Sequence, residues 1–111
     1  MRSYHIDEFV SGELERLAER LDSMKLSAGV EGLYWFPVPK KLLTACQERH
    51  ERECGPYALA LEILDEALRL ELLVRARNKL RCECVGYADQ RLVSHMIVYL
   101  HALLDELNIS G

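Results

Sequence analysis

Apolar residues recur at Ile6, Phe9, Val10, Leu14, Leu17, Ala18, Leu21 and Met24, three or four positions apart, with Glu13, Glu15, Arg16, Glu19 and Arg20 between them. That spacing lays one apolar stripe along a helix over residues 6–26. Gly12 weakens its first turn and leaves Asp7 or Ser11 as the N-cap. A second stripe runs through Leu92, Val93, Met96, Ile97, Leu100, Leu103, Leu104 and Leu107. It predicts a helix over 90–107, capped by Asp89 and stopped near Asn108.

Between the helices the period changes to two. Tyr57, Leu59, Leu61 and Ile63 alternate with other residues, then Leu68, Leu70, Leu72, Val74 and Ala76, then Leu80, Cys82, Cys84 and Gly86. Three half-buried antiparallel strands produce such a pattern. A two-residue turn at Asp65-Glu66 pairs Ile63 with Leu68, Leu61 with Leu70, Leu59 with Leu72 and Tyr57 with Val74, placing every apolar residue on one side. The second connection must be odd-numbered to keep one apolar side. A loop over residues 77–79 does so by pairing Ala76 with Leu80, Val74 with Cys82 and Leu72 with Cys84.

Residues 33–38 carry Leu33, Tyr34, Trp35, Phe36 and Val38 and read as a strand. Pro37 and Pro39 lack amide donors and confine it to a sheet edge. The polar stretch 42–54, capped by Thr44, predicts a short surface helix. These elements predict an α+β fold in one domain, 1–111: a two-layer sandwich. Its antiparallel sheet is a three-stranded meander plus an N-terminal edge strand, with the N- and C-terminal helices on one face.

Such a sandwich leaves one sheet face open. Glu71, Leu73, Arg75, Arg81, Glu83, Val85 and Tyr87 fall on it by parity, with Trp35 on the aromatic edge strand. Glu62 stands opposite Arg69 in the first hairpin, a favourable cross-strand pair. Apolar anchors (Leu73, Val85, Tyr87, Trp35) ringed by Arg75, Arg81, Glu71 and Glu83 have the composition of a contact surface. Scattered apolar residues on an ordinary wetted face are the plainer reading of the same pattern.

Composition narrows the remaining classes. The 111 residues are 50% hydrophobic with 6 Gly and 3 Pro, which excludes a disordered or fibrous chain. No apolar run spans a bilayer, and the first residues lack a signal-peptide core, so a cytoplasmic protein without membrane contact is expected. A net charge of -4 weighs against nucleic acid. Arg75, Arg77, Lys79 and Arg81 with Tyr87 keep single-stranded nucleic-acid binding as a lesser alternative.

Candidate chemistry is sparse. Cys46, His50 and Cys54 stand four apart, and Cys82-x-Cys84 supplies two more thiols. Residues four apart on a helix can chelate together, but Cys46 and Cys54 are about 12 Å apart along the axis. On a strand, Cys82 and Cys84 point in parallel and do not converge on an ion. No metal and no cofactor is therefore expected, and C-x-C on a strand is no redox motif. His5, His95 and His101 are isolated, and no nucleophile elbow or phosphate loop occurs, so no catalytic residue is assigned. Asn108-Ile109-Ser110 matches a glycosylation acceptor, without weight where no secretory signal precedes it.

The element order is similar to that of small dimeric α+β modules such as type III secretion chaperones or roadblock-type scaffold domains, a likeness of shape that transfers no residue role. The expected function is a protein-interaction module, homodimeric through the uncovered face and open to a protein partner. The alternative is a small enzyme or ligand-binding domain with a pocket near Trp35 and the 42–54 helix.

Overall fold

The computed structural model describes residues 2–79 and 81–109. They form β1 (Ser3–Ile6), α1 (Glu13–Ser23), β2 (Leu33–Pro37), α2 (Ala45–Cys54), β3 (Tyr57–Ile63), β4 (Leu68–Glu71), β5 (Leu73–Ala76), β6 (Gly86–Tyr87) and α3 (Gln90–Glu106), with a 3-10 turn at Lys40–Leu42. Every strand pairing is antiparallel, so the fold is α+β, as the periodicities predict.

The sheet is organised around β3. One edge of β3 pairs with β2, Trp35 opposite Ala60 and Phe36 opposite Leu59. The other edge pairs with β4 near the hairpin tip and with β5 near its root. The predicted register holds at the tip, where Ile63 faces Leu68 and Leu61 faces Leu70. It then shifts by two, because Tyr57 faces Ala76 rather than Val74. The extra residues sit at the break at Leu72, whose amide donates to the Arg2 carbonyl (2.9 Å) and whose carbonyl accepts from the Ala88 amide (2.8 Å). A two-residue bulge changes partners without turning side chains over, since the pleat repeats every two residues. Leu68, Leu70, Leu72 and Val74 accordingly all stay buried.

Beyond β4 lies β1, with Ile6 opposite Leu68 and Tyr4 opposite Leu70. This corrects the helix expected from residue 6. The local spacing of Ile6, Phe9 and Val10 fits a helix, but the outer edge of β4 offers unpaired backbone groups that a strand satisfies. Helix α1 starts at Gly12 rather than at an Asp7 or Ser11 cap; Gly12 takes φ 90, which favours glycine, and the Glu13 carboxylate accepts from the Val10 amide at 2.8 Å.

Beyond β5 lies the short β6, with Leu73 opposite Tyr87 and Val74 opposite Gly86. The connection over 77–85 is odd-numbered, as side-chain parity requires, but longer than the three residues expected. Cys82 and Cys84 therefore lie in a loop, not on a strand, and Leu80 falls outside the described residues, as does Ser110.

Helices α1 and α3 bury Leu14, Leu17 and Leu21 and Leu92, Met96, Leu100 and Leu104 in one cluster with the inward residues of the sheet. The Arg16 guanidinium donates to the Leu107 carbonyl at 2.6 Å, and Arg20 meets Glu106 at 3.2 Å. Tyr4 of β1 reaches His101 of α3 at 2.7 Å, and Phe36 of β2 meets Tyr99 edge-on. Helix α2 is polar but firmly started: Thr44 and Gln47 exchange side-chain bonds with each other's backbone amides. Thr44→Ala is expected to cost about 1 kcal/mol, read as a lower denaturant midpoint at unchanged slope.

Candidate functional site: an open sheet face and a Cys/His cluster

The sheet face away from α1 and α3 carries Leu33 and Trp35 of β2, Ala60 and Glu62 of β3, Arg69 and Glu71 of β4, and Arg75 of β5, which together line an open hollow of about 310 Å³. Position parity puts them there, since each is one residue removed from a buried neighbour. Glu62 and Arg69, paired across the hairpin, lie 3.5 Å apart. Arg75 donates to both oxygens of Glu71, at 2.7 and 3.2 Å. The Arg77 guanidinium lies over the half-buried Trp35 ring at 5.2 Å. Arg2 lies over Tyr87 at 4.7 Å, yet Tyr87 keeps 49% of its surface exposed.

Six of the eight predicted contact residues share or border this face. Trp35, Glu71 and Arg75 line the hollow, Leu73 pairs with Tyr87, and Val85 borders a second hollow with Trp35, Arg75 and Arg77. Arg81 and Glu83 do not join it. Both are exposed in the 77–85 loop, because the sheet ends at Gly86–Tyr87 and does not extend to them. The pocket expected between Trp35 and the 42–54 helix is not assembled by the hollows that Trp35 borders. Their other walls come from β2–β5, residues 25–28, Pro56, Arg77 and Val85.

A second constellation lies where α2 meets the 77–85 loop. His50, Cys54, Cys82 and Cys84 each offer one donor atom, and these atoms all lie within 4.8 Å of one another. The Cys54 thiol donates to Cys82 Sγ at 3.2 Å, and His50 Nδ1 is 3.1 Å from the same sulfur. Cys54 and Cys84 are buried; His50 and Cys82 are half-buried. His50 Nε2, on the far side of the ring, faces the Glu83 carboxylate at 3.6 Å.

Neighbouring groups hold the cluster in place. Gln47 Nε2 donates to the Cys84 carbonyl (3.1 Å), and the Tyr57 hydroxyl donates to the Gln47 carbonyl (2.8 Å). The Asn78 amide donates to the Cys54 carbonyl (3.0 Å), and its side chain donates to the Gly55 carbonyl. A Cβ at Gly55 would stand 2.8 Å from the Glu51 carbonyl oxygen, so glycine alone allows the turn that follows Cys54. The thiols differ sharply. Hydrogen bonds from Cys84, then from His50 and Cys54, hold Cys82 well below the ordinary thiol range, at about 6. Cys54, whose thiol donates a hydrogen bond to the Cys82 sulfur and is buried, is pushed up to about 12. Burial raises Cys84.

The strand placement of Cys82 and Cys84 that argued against convergence is thus corrected: a turn at 82–85, with the Val85 amide donating to the Cys82 carbonyl (3.1 Å), aims both sulfurs at α2. The helical half of the arrangement, His50 and Cys54 four apart, is visible in the sequence. Its partner is not, because nothing local distinguishes a C-x-C turn from two alternating strand positions. Cys46 stands outside the four-residue group, as its distance from Cys54 along the helix requires.

No family model, no curated protein and no solved structure matches the chain, so its functional reading rests on its own residues. Among the described residues no helix is long and apolar enough to cross a membrane.

Proposed function

We propose that this chain is a protein-interaction domain that pairs with a second copy of itself through the open face of its sheet. One observation carries the reading: α1 and α3 bury one face of the sheet, while the other leaves Trp35, Leu73 and Val85 half-buried and Tyr87 exposed among charged residues. Trp, Tyr and Arg are the residues that dominate binding at interfaces. The face is also self-complementary. Arg69 and Arg75 alternate with Glu62 and Glu71, so a two-fold axis can set the cations of one protomer against the carboxylates of its partner.

Sedimentation equilibrium on the full chain tests this. A dimer at micromolar concentration is expected, and Trp35→Ala or Leu73→Glu should raise its dissociation constant about 30-fold or more, as loss of an interface hot spot does. Circular dichroism of each variant separates dissociation from unfolding. A wild-type chain that stays monomeric at high concentration refutes the reading, as does a dimer indifferent to both folded variants.

A further inference from the structure

The geometry points to His50, Cys54, Cys82 and Cys84 as the four ligands of a structural zinc ion that staples the end of α2 to the 77–85 loop. This inference is independent of the sheet-face reading. The donor set comes first. Three sulfurs and one imidazole nitrogen converge from two chain segments, with all four cysteines of the chain unbridged. Sulfur and imidazole donors suit zinc over hard cations, and a closed Cys₃His set is one of its structural site types.

Distance comes second. Zinc holds sulfur at about 2.3 Å and imidazole nitrogen at about 2.0–2.1 Å, which places tetrahedral donors about 3.5–3.8 Å apart. The four donors lie within 4.8 Å of one another, so the contacts at 3.1 and 3.2 Å need open by about half an ångström and the widest pair close by about 1 Å at most. Without an ion, three sulfurs packed against each other make poor hydrogen-bond partners for one another.

Orientation comes third. His50 presents Nδ1 to the sulfurs and Nε2 to Glu83. A ligating histidine commonly gives its other N–H to a carboxylate, and Glu83, at 3.6 Å, stands just beyond the distance of that bond. Gln47, held by Tyr57, fixes the backbone of Cys84 from the other side. Four protein ligands leave no open coordination position, so the ion's role is structural rather than catalytic. Binding balances as one Zn²⁺ taken up by three thiolates and one imidazole nitrogen, with any proton still on a ligating atom released to solvent. A second grouping, Cys46 with His50 and Glu83, shares His50 and offers only three donors, so the two cannot be filled together.

The test uses the full chain purified under reducing conditions without chelator. Elemental analysis should find one zinc per chain. Cobalt(II) titrated into the metal-free protein should give the strong visible absorption of tetrahedral thiolate coordination, and zinc should displace it. Cys54→Ser and Cys82→Ser should weaken cobalt binding beyond the roughly 100-fold upper end seen for outer partners, and Glu83→Gln about 10-fold. Cys46→Ser should leave it unchanged. If Cys54→Ser does not fold, the wild-type titration still decides. Reduced protein carrying four free thiols that takes up neither ion at micromolar concentration overturns the site, and so does a Cys46→Ser variant as impaired as Cys82→Ser.

Discussion

Replacing Leu59 by alanine is expected to lower stability by about 2–5 kcal/mol, the range for truncating a fully buried leucine. Leu59 lies mid-way along β3, the strand from which the rest of the sheet is paired, and none of its surface is exposed. It pairs with Phe36 of β2, and both belong to the cluster built with α1 and α3. A close-packed layer held between strands and helices collapses little around a lost side chain, so the cavity adds to the lost transfer energy. Against a total stability of about 5–15 kcal/mol, this removes a large fraction. At about 4–8 °C per kcal/mol for a small domain, the melting temperature falls by about 8 °C or more.

The control is Arg69→Ala on the opposite face, compared at a dilution where the chain is monomeric, where it loses only an exposed pair with Glu62, worth at most about 1 kcal/mol. Thermal and urea unfolding of both variants measure the contrast. Equal losses, or a larger loss at Arg69, would show that the inward and outward assignments along β3 and β4 are wrong.

That contrast is where sequence reading is strongest. The faces of β3, β4 and β5 follow from alternation alone, and they survive the bulge at Leu72 because it adds two residues rather than one. The caps at Thr44 and Asp89 were equally legible, each accepting from the backbone amide three residues on. What failed depended on partners far along the chain. Ser3–Ile6 became a strand because β4 had an edge to fill, although Ile6 lies in phase with the helical stripe. Cys82 and Cys84 continued the alternation of the preceding strands in the sequence, yet β5 found its partner at Gly86–Tyr87. Alternation reports which side a residue takes if it is in a strand, and says nothing of where the strand stops. The Cys/His cluster shares that origin: His50 and Cys54 are a visible pair, but the turn that brings them two thiols exists only after β5 and α2 are docked.

Removing the ion from the proposed zinc site should be the second large effect. A ligand that binds only the folded state stabilises it by about 4.1 kcal/mol at 1,000 times its dissociation constant. Transferring the wild-type chain from such a zinc excess into chelator should then lower the melting temperature by on the order of 15 °C. The loss should be local in origin. Cys54 and Cys84 share the buried cluster of Leu59, Leu61, Leu70, Leu100 and Leu104, but only the end of α2 and residues 77–85 depend on the ligands, with Asn78 and Gln47, to hold them together. Hydrogen exchange in the metal-free protein should therefore accelerate first at the end of α2 and in 77–85, while amides of β3 keep their protection. Cys54→Ser should melt at the same temperature with zinc or with chelator. A wild-type melting temperature unmoved by either would remove the staple, since an ion that ordered this loop could not leave stability untouched.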